Sequence, residues 1–228
     1  MKTGVYSVLY EVVLNMAIGF CFIPFLLLTW KKMRQVKTYR ILGIYWLLSG
    51  FINMIDLDFF SHFTNVAGVK ERLNCCYDML DTPLALLVFA SAVSGRQRKQ
   101  ILLVLLLFIV GEGTLIGWKG YNAMSSNIII GVGLLLAIIY SITGLVQYMK
   151  KMEHTPFENS MVFVYAALIF VYGSYLILYV FSLTRDNSQS NSNDSSLVYY
   201  ISMLLSAAIT SMGLWGYGLR RSQAAVTA

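Results

Sequence analysis

Residues 76–118 read CYDMLDTPLALLVFASAVSGRQRKQILLVLLLFIVGEGTLIGW. Two apolar runs flank a basic turn made by Arg96, Arg98 and Lys99. Each run keeps its carboxylates near the end remote from that turn: Asp78 and Asp81 in the first, Glu112 in the second. A helix rising 1.5 Å per residue crosses a hydrocarbon core of about 30 Å in roughly 20 residues. The stretch therefore reads as a membrane hairpin, with its turn at a basic rim and its carboxylates toward the opposite face.

The same pattern extends in both directions. Of the 228 residues, 57% are hydrophobic and only 12% charged, about half the charge of an ordinary soluble domain. Apolar stretches of spanning length fall at about 6–29, 41–62, 76–95, 100–118, 127–149, 160–183 and 197–219. Few prolines and no alternating apolar/polar segments argue against a barrel, so helices must satisfy the backbone in lipid. The expectation is an all-α integral membrane protein, one seven-helix transmembrane domain over 1–228. The polar segment RDNSQSNSNDSS, 185–196, is the longest connection, and no span-free region is large enough for a soluble kinase or DNA-binding domain. The N-terminal run is longer than a signal peptide's apolar core and lacks its cleavage pattern, so it reads as a first helix.

Charge sets the expected orientation. Twelve basic residues fall on one side: Lys31, Lys32, Arg34, Lys37, Arg40, Arg96, Arg98, Lys99, Lys150, Lys151, Arg220 and Arg221. Five fall on the other: Lys2, Lys70, Arg72, Lys119 and Arg185. Cytoplasmic loops carry the Lys/Arg excess, which places the N-terminus outside and the C-terminus in the cytoplasm; the general look resembles small seven-helix proteins of bacterial inner membranes, which implies that location. The basic rim then faces anionic lipid headgroups, and the net charge of +6 implies no nucleic-acid partner. Trp30, Trp46, Trp118 and Trp215 lie toward span ends, where indole rings anchor at the interface.

Six carboxylates lie within the apolar segments, all in the outer half: Glu11, Asp56, Asp58, Asp78, Asp81 and Glu112. An ionisable side chain at a helix centre costs about 2.5–3.5 kcal/mol on insertion scales, so such residues mark candidate sites. Asp58 with His62 reads as a solvated rim, and Asp78, which also favours the dipole at the start of its helix, reads as part of that rim. Ser49, Asn53 and Asp56 form one stripe at i, i+4, i+7; Glu11 pairs with Asn15; Asp78, Asp81 and Thr82 share a face just before Pro83. Pro83 removes a hydrogen bond to the Met79 carbonyl. Gly111 and Gly113 flank Glu112 and permit close approach. The candidate ligand or ion site is thus Asp56, Asp81 and Glu112, with Asp78, Asn53, Thr82 and Glu11 around it. Close carboxylates cannot all ionise, so the cavity holds a proton or a cation.

Other patterns read as packing. Ser202, Ser206, Thr210 and Gly213 form a small-residue stripe suited to a helix interface. Tyr172, Tyr175 and Tyr179 stripe one face at i, i+3, i+7 and read first as a buried aromatic face, with a wall of the outward cavity as the alternative. Cys75 and Cys76 have no further outer cysteine to pair with. Enzymatic chemistry is disfavoured: His62 and His154 are the two histidines and fall on opposite sides, too few for a converging zinc site. No serine elbow or phosphate loop appears. A membrane-embedded enzyme with an aspartate pair ranks third.

Some residues resemble microbial rhodopsins. Asp81-Thr82-Pro83-Leu84 is similar to the Thr-Pro-Leu segment of that family's third helix, Glu112-Gly113 to the acidic-Gly pair of its fourth, and Ser206-Ala207 to the Ser-Ala before the retinal lysine of its seventh. The resemblance implies seven helices with the N-terminus outside. Ala208 follows where the lysine would stand, and registering on Pro83 puts Tyr77, beside Asp78, at the counter-ion position. No covalent retinal and no other cofactor is therefore expected. The functional expectation is a sensor or receptor-like module whose outward acidic cavity signals to a separate cytoplasmic or membrane partner, or within a homo-oligomer. The alternative is a proton- or cation-coupled transporter or channel.

Overall fold

The structure is a computed structural model that describes residues 2–54, 69–184 and 192–226. Seven helices are described: α1 (Lys2–Trp30), α2 (Lys37–Met54), α3 (Val69–Ala92), α4 (Gly95–Lys119), α5 (Ala123–Met149), α6 (Pro156–Thr184) and α7 (Ser192–Val226). A 3₁₀ turn, Met33–Gln35, joins the first two. Six of the seven, all but α2, are long and apolar enough to cross a membrane, which makes this a multi-pass membrane protein by length and composition. The remainder of the expected second span, 55–62, lies outside the described residues, and with it Asp56, Asp58 and His62.

Local signals set the helix ends. Gly120 adopts φ 73° and closes α4, its N–H bonding the Ile116 carbonyl; a glycine reaches this conformation without a Cβ clash. Asn122 then caps α5, its Oδ1 accepting the Ser125 N–H at 2.9 Å. Thr155-Pro156-Phe157-Glu158 forms a capping box at α6. The Glu158 N–H donates to Thr155 Oγ1, and the Thr155 N–H donates to Glu158 Oε2 at 2.9 Å, with proline at the first helical position. Lys151 pairs with the same Glu158.

The helices alternate in direction. Thr38 at the start of α2 donates to the Ser91 carbonyl at the end of α3, and Tyr39 bonds Ser160 at the start of α6. Lys31, past the end of α1, donates to the Trp215 carbonyl and lies over that indole at 3.9 Å. These contacts gather one basic end of the bundle. At the opposite end Tyr179 donates to the Asn127 carbonyl, joining the end of α6 to the start of α5.

Packing closes a ring in the order α1, α2, α3, α5, α6, α7 and back to α1. Helix α4 stands outside it, laid against α3 and touching α5 only lightly. The core runs through the ring on Trp46, Leu86, Phe89, Leu168, Met203 and Leu214, all nearly inaccessible, so Trp46 packs inside the bundle instead of anchoring at the interface. Glycines permit the closest approaches. A Cβ at Gly133 would collide with Thr82 Oγ1, and one at Gly213 would meet Phe163 and the Ser160 carbonyl. Ser206 reaches across to the Ala167 carbonyl at 2.9 Å, so the small-residue stripe of α7 is a helix interface with α6.

Candidate functional site

Asp81 sits about 9 Å inside the apolar stretch of α3 that begins at Cys75, facing into the ring. Tyr172 of α6 donates to its Oδ2 at 2.8 Å, and Tyr45 of α2 donates to the Tyr172 hydroxyl at 3.2 Å. Tyr77 and Tyr45 also lie within interaction range of the Asp81 carboxyl. One helical turn before Asp81, Tyr77 reaches the Ser49 hydroxyl of α2 at 3.4 Å. Asn53 donates to the Ser49 carbonyl at 2.7 Å and accepts from the Tyr199 hydroxyl of α7 at 3.0 Å. Tyr199 packs on Tyr175 with ring centroids 4.7 Å apart. One polar network thus joins α2, α3, α6 and α7 through a single carboxyl group.

Its chemistry follows from the partners. No cation pairs with Asp81 among the described residues; what surrounds it is phenolic hydroxyl. A desolvated carboxylate needs donors or a counter-ion, or else takes up a proton. Tyrosine hydroxyls both donate and accept, so the network can rearrange its protons when the charge on Asp81 changes. Pro83 is buried two residues on, and α3 continues through it without a break.

Asp81, Asp78 and Thr82 line one cleft with Tyr77, Ile130, Leu134 and Tyr175; its volume is about 70 Å³. That is far below the 300–1,000 Å³ of ordinary small-molecule sites and suits a few waters or a small ion. Asp78 is not simply a solvated rim group. Tyr121, in the α4–α5 connection, donates to its Oδ2 at 2.8 Å, and Ser126 of α5 stands 3.5 Å away. It therefore latches α3 to the neighbouring hairpin at the mouth of the cleft. Burial pushes the Tyr121 hydroxyl up to about 12, so this donor stays protonated at neutral pH.

The remaining expected site residues separate. Asn53 joins the Asp81 network through Ser49 and Tyr77. Glu11 is exposed on α1, where its backbone carbonyl accepts from Asn15. Glu112 is buried on α4, but it lines a different cavity, between α4 and α5. Asp56 lies outside the described residues. The structure thus brings Asp78, Asp81, Thr82 and Asn53 together; it leaves Glu112 apart because α4 stands outside the ring, and Glu11 apart because it lies on an exposed face of α1.

The hydroxyl network of the tyrosines is what sequence reading missed, although a cavity wall is the alternative reading of the α6 stripe. Tyr172 and Tyr175 are not a passive aromatic face; one holds Asp81 and the other walls its cleft. Tyr45 extends the Ser49–Asn53 stripe one turn back, and Tyr77 precedes Asp81 by one turn, so both were visible as i, i+4 neighbours of polar residues. Which helix they would face was not.

A second cleft opens at the basic end. About 450 Å³ in volume, it is lined by Gln97, Gln147, Tyr148, Lys150, Lys151 and Glu158 among others. It shares Val93, Gln97, Gly144, Gln147 and Tyr165 with a narrower cleft of about 210 Å³ that reaches Phe89 and Tyr140. Phe89, buried, walls the narrower cleft, and the rings of Phe89 and Tyr165 are 5.9 Å apart.

No family model matches the chain, nor does any curated protein or solved structure. By fold and site the chain is a multi-pass helical membrane protein with a carboxylate–tyrosine centre enclosed by a ring of helices.

Proposed function

We propose that this chain is a seven-span sensor or receptor-like binding module of a bacterial inner membrane, with the N-terminus outside and the C-terminus in the cytoplasm. Asp81 takes up a proton or a small cation from the outer side, and the bundle passes the change to a separate protein at its basic cytoplasmic rim. One observation carries this reading: a single carboxyl group is hydrogen-bonded into a network spanning four helices. A change of charge at Asp81 alters what Tyr172 and Tyr45 donate to, and therefore biases how α6 and α2 pack against α3. The small volume of the cleft favours a proton or monatomic ion over an organic ligand. Resemblance to the microbial rhodopsins, with Ala208 where a lysine would stand, supports a retinal-free version of that architecture.

The test is infrared difference spectroscopy on the full chain in lipid nanodiscs, titrated with acid and separately with sodium or potassium. A carboxyl band that responds to the titrant and disappears in Asp81→Asn is expected. A response that survives Asp81→Asn would refute the assignment.

The clefts at the two ends favour a second reading, a proton- or cation-coupled transporter. Clefts carrying polar side chains lie at both ends of the bundle, one at Asp78 and Asp81 and one at Gln97 and Gln147, the latter walled on its inner side by buried Phe89. Under the sensor reading, liposomes carrying the protein show no proton or cation flux above empty liposomes. Flux that Asp81→Asn abolishes would replace the sensor with the transporter.

A further inference from the structure

Glu112 stands alone in an unusual setting. It is 4% exposed, and its Oε1 has no hydrogen-bond partner among the described residues. It lines a cavity of about 430 Å³ between α4 and α5, whose other walls include Phe108, Leu115, Ile129 and Val132. That volume lies within the range of small-molecule sites, six times that of the Asp81 cleft. No neighbouring atom fills the space beside Gly111 or Gly113. Several lining residues face outward, Leu107 at 61% and Trp118 at 85% exposed, so the cavity opens sideways toward lipid. Glu112 lies seven residues, about 10 Å, from the end of α4 at Lys119.

A charged carboxylate in such a place is costly, so it either takes up a proton or is met by a donor. A metal ion does not fit, since no group of three ligating side chains exists among the described residues. A salt bridge from a second copy does not fit either, because the apolar spans carry no lysine or arginine at this depth. An ammonium group on an apolar body matches both halves of the site: its N–H bonds supply the missing donor, and its hydrocarbon fills the walls.

We propose that the α4–α5 cavity is a second binding site, taking a lipophilic primary amine from the bilayer with its ammonium on Glu112. The site is independent of the Asp81 network and does not rest on the sensor reading.

The probe is 4-phenylbutylamine, with 4-phenylbutan-1-ol as its neutral counterpart, titrated into the full chain in neutral-lipid nanodiscs and read by saturation-transfer NMR. Saturable binding of the amine is expected, with the alcohol at least about tenfold weaker, as loss of one charge-assisted bond implies. Glu112→Gln should erase the difference between the two compounds while the protein stays folded by circular dichroism. Gly111→Leu, which fills the open wall, should block both. Asp81→Asn should leave amine binding intact, so failure here and failure of the Asp81 reading are told apart. Equal binding of amine and alcohol, or amine binding unchanged in Glu112→Gln, would overturn the proposal. So would a change of oligomeric state in Glu112→Gln, which would make the cavity an interface between copies.

Discussion

Removing the Tyr172 hydroxyl interrogates the centre of the bundle most directly. Tyr172→Phe deletes the 2.8 Å bond to Asp81 Oδ2 and the acceptor for Tyr45 at 3.2 Å, while keeping the ring that fills the core. A hydrogen bond to a charged group contributes about 1.5–3 kcal/mol. In membranes the unfolded reference also finds partners, and measured interhelical bonds average nearer ~0.6 kcal/mol. An intermediate coupling of about 1.5 kcal/mol is expected. The single variant will lose more than this, because Tyr45 is stranded as well. A double-mutant cycle with Asp81→Ala separates the two effects, since both the cavity left by alanine and the stranded Tyr45 cancel. Stability would be read by reversible unfolding in mixed detergent micelles containing sodium dodecyl sulfate, following helical circular dichroism. Additivity of Tyr172→Phe and Asp81→Ala within about 0.3 kcal/mol would refute the coupling, and with it the claim that Asp81 is tied mechanically to α6.

Two further predictions concern the ring and the missing chromophore. Gly133→Ala should destabilise by about 1–3 kcal/mol, because its methyl overlaps Thr82 Oγ1 and threonine is stiff at χ1 in a helix. Adding Thr82→Ala should recover much of that loss in the same unfolding assay, and no recovery would mean that α3 and α5 do not meet there. Incubation with all-trans retinal should give no covalent visible chromophore, since Ala208 offers no amine; a hydroxylamine-sensitive absorption band would contradict this.

Some of this protein was legible in its sequence because lipid leaves few options. Backbone groups without water must be satisfied inside each segment, so apolar length alone marked six helices that the structure shows at spanning length, with ends within a few residues of those expected for most of them. At α6 a cap explains the difference: Thr155 to Glu158 starts the helix four residues before its apolar run. The sequence also singled out Asp81, because an ionisable residue in an apolar run is conspicuous whatever the fold.

Which residues would meet Asp81 was decided only in three dimensions. Helical periodicity tells which side chains share a face, not which helix that face meets. Asp81 and Glu112 occupy the same half of adjacent helices and looked like one site. They part because α4 stands outside the ring while Gly133 lets α5 close directly on Thr82. Conversely, Tyr172 is 91 residues from Asp81, and nothing in either local sequence links them. One-dimensional pattern sets burial and depth; the order of packing sets who faces whom.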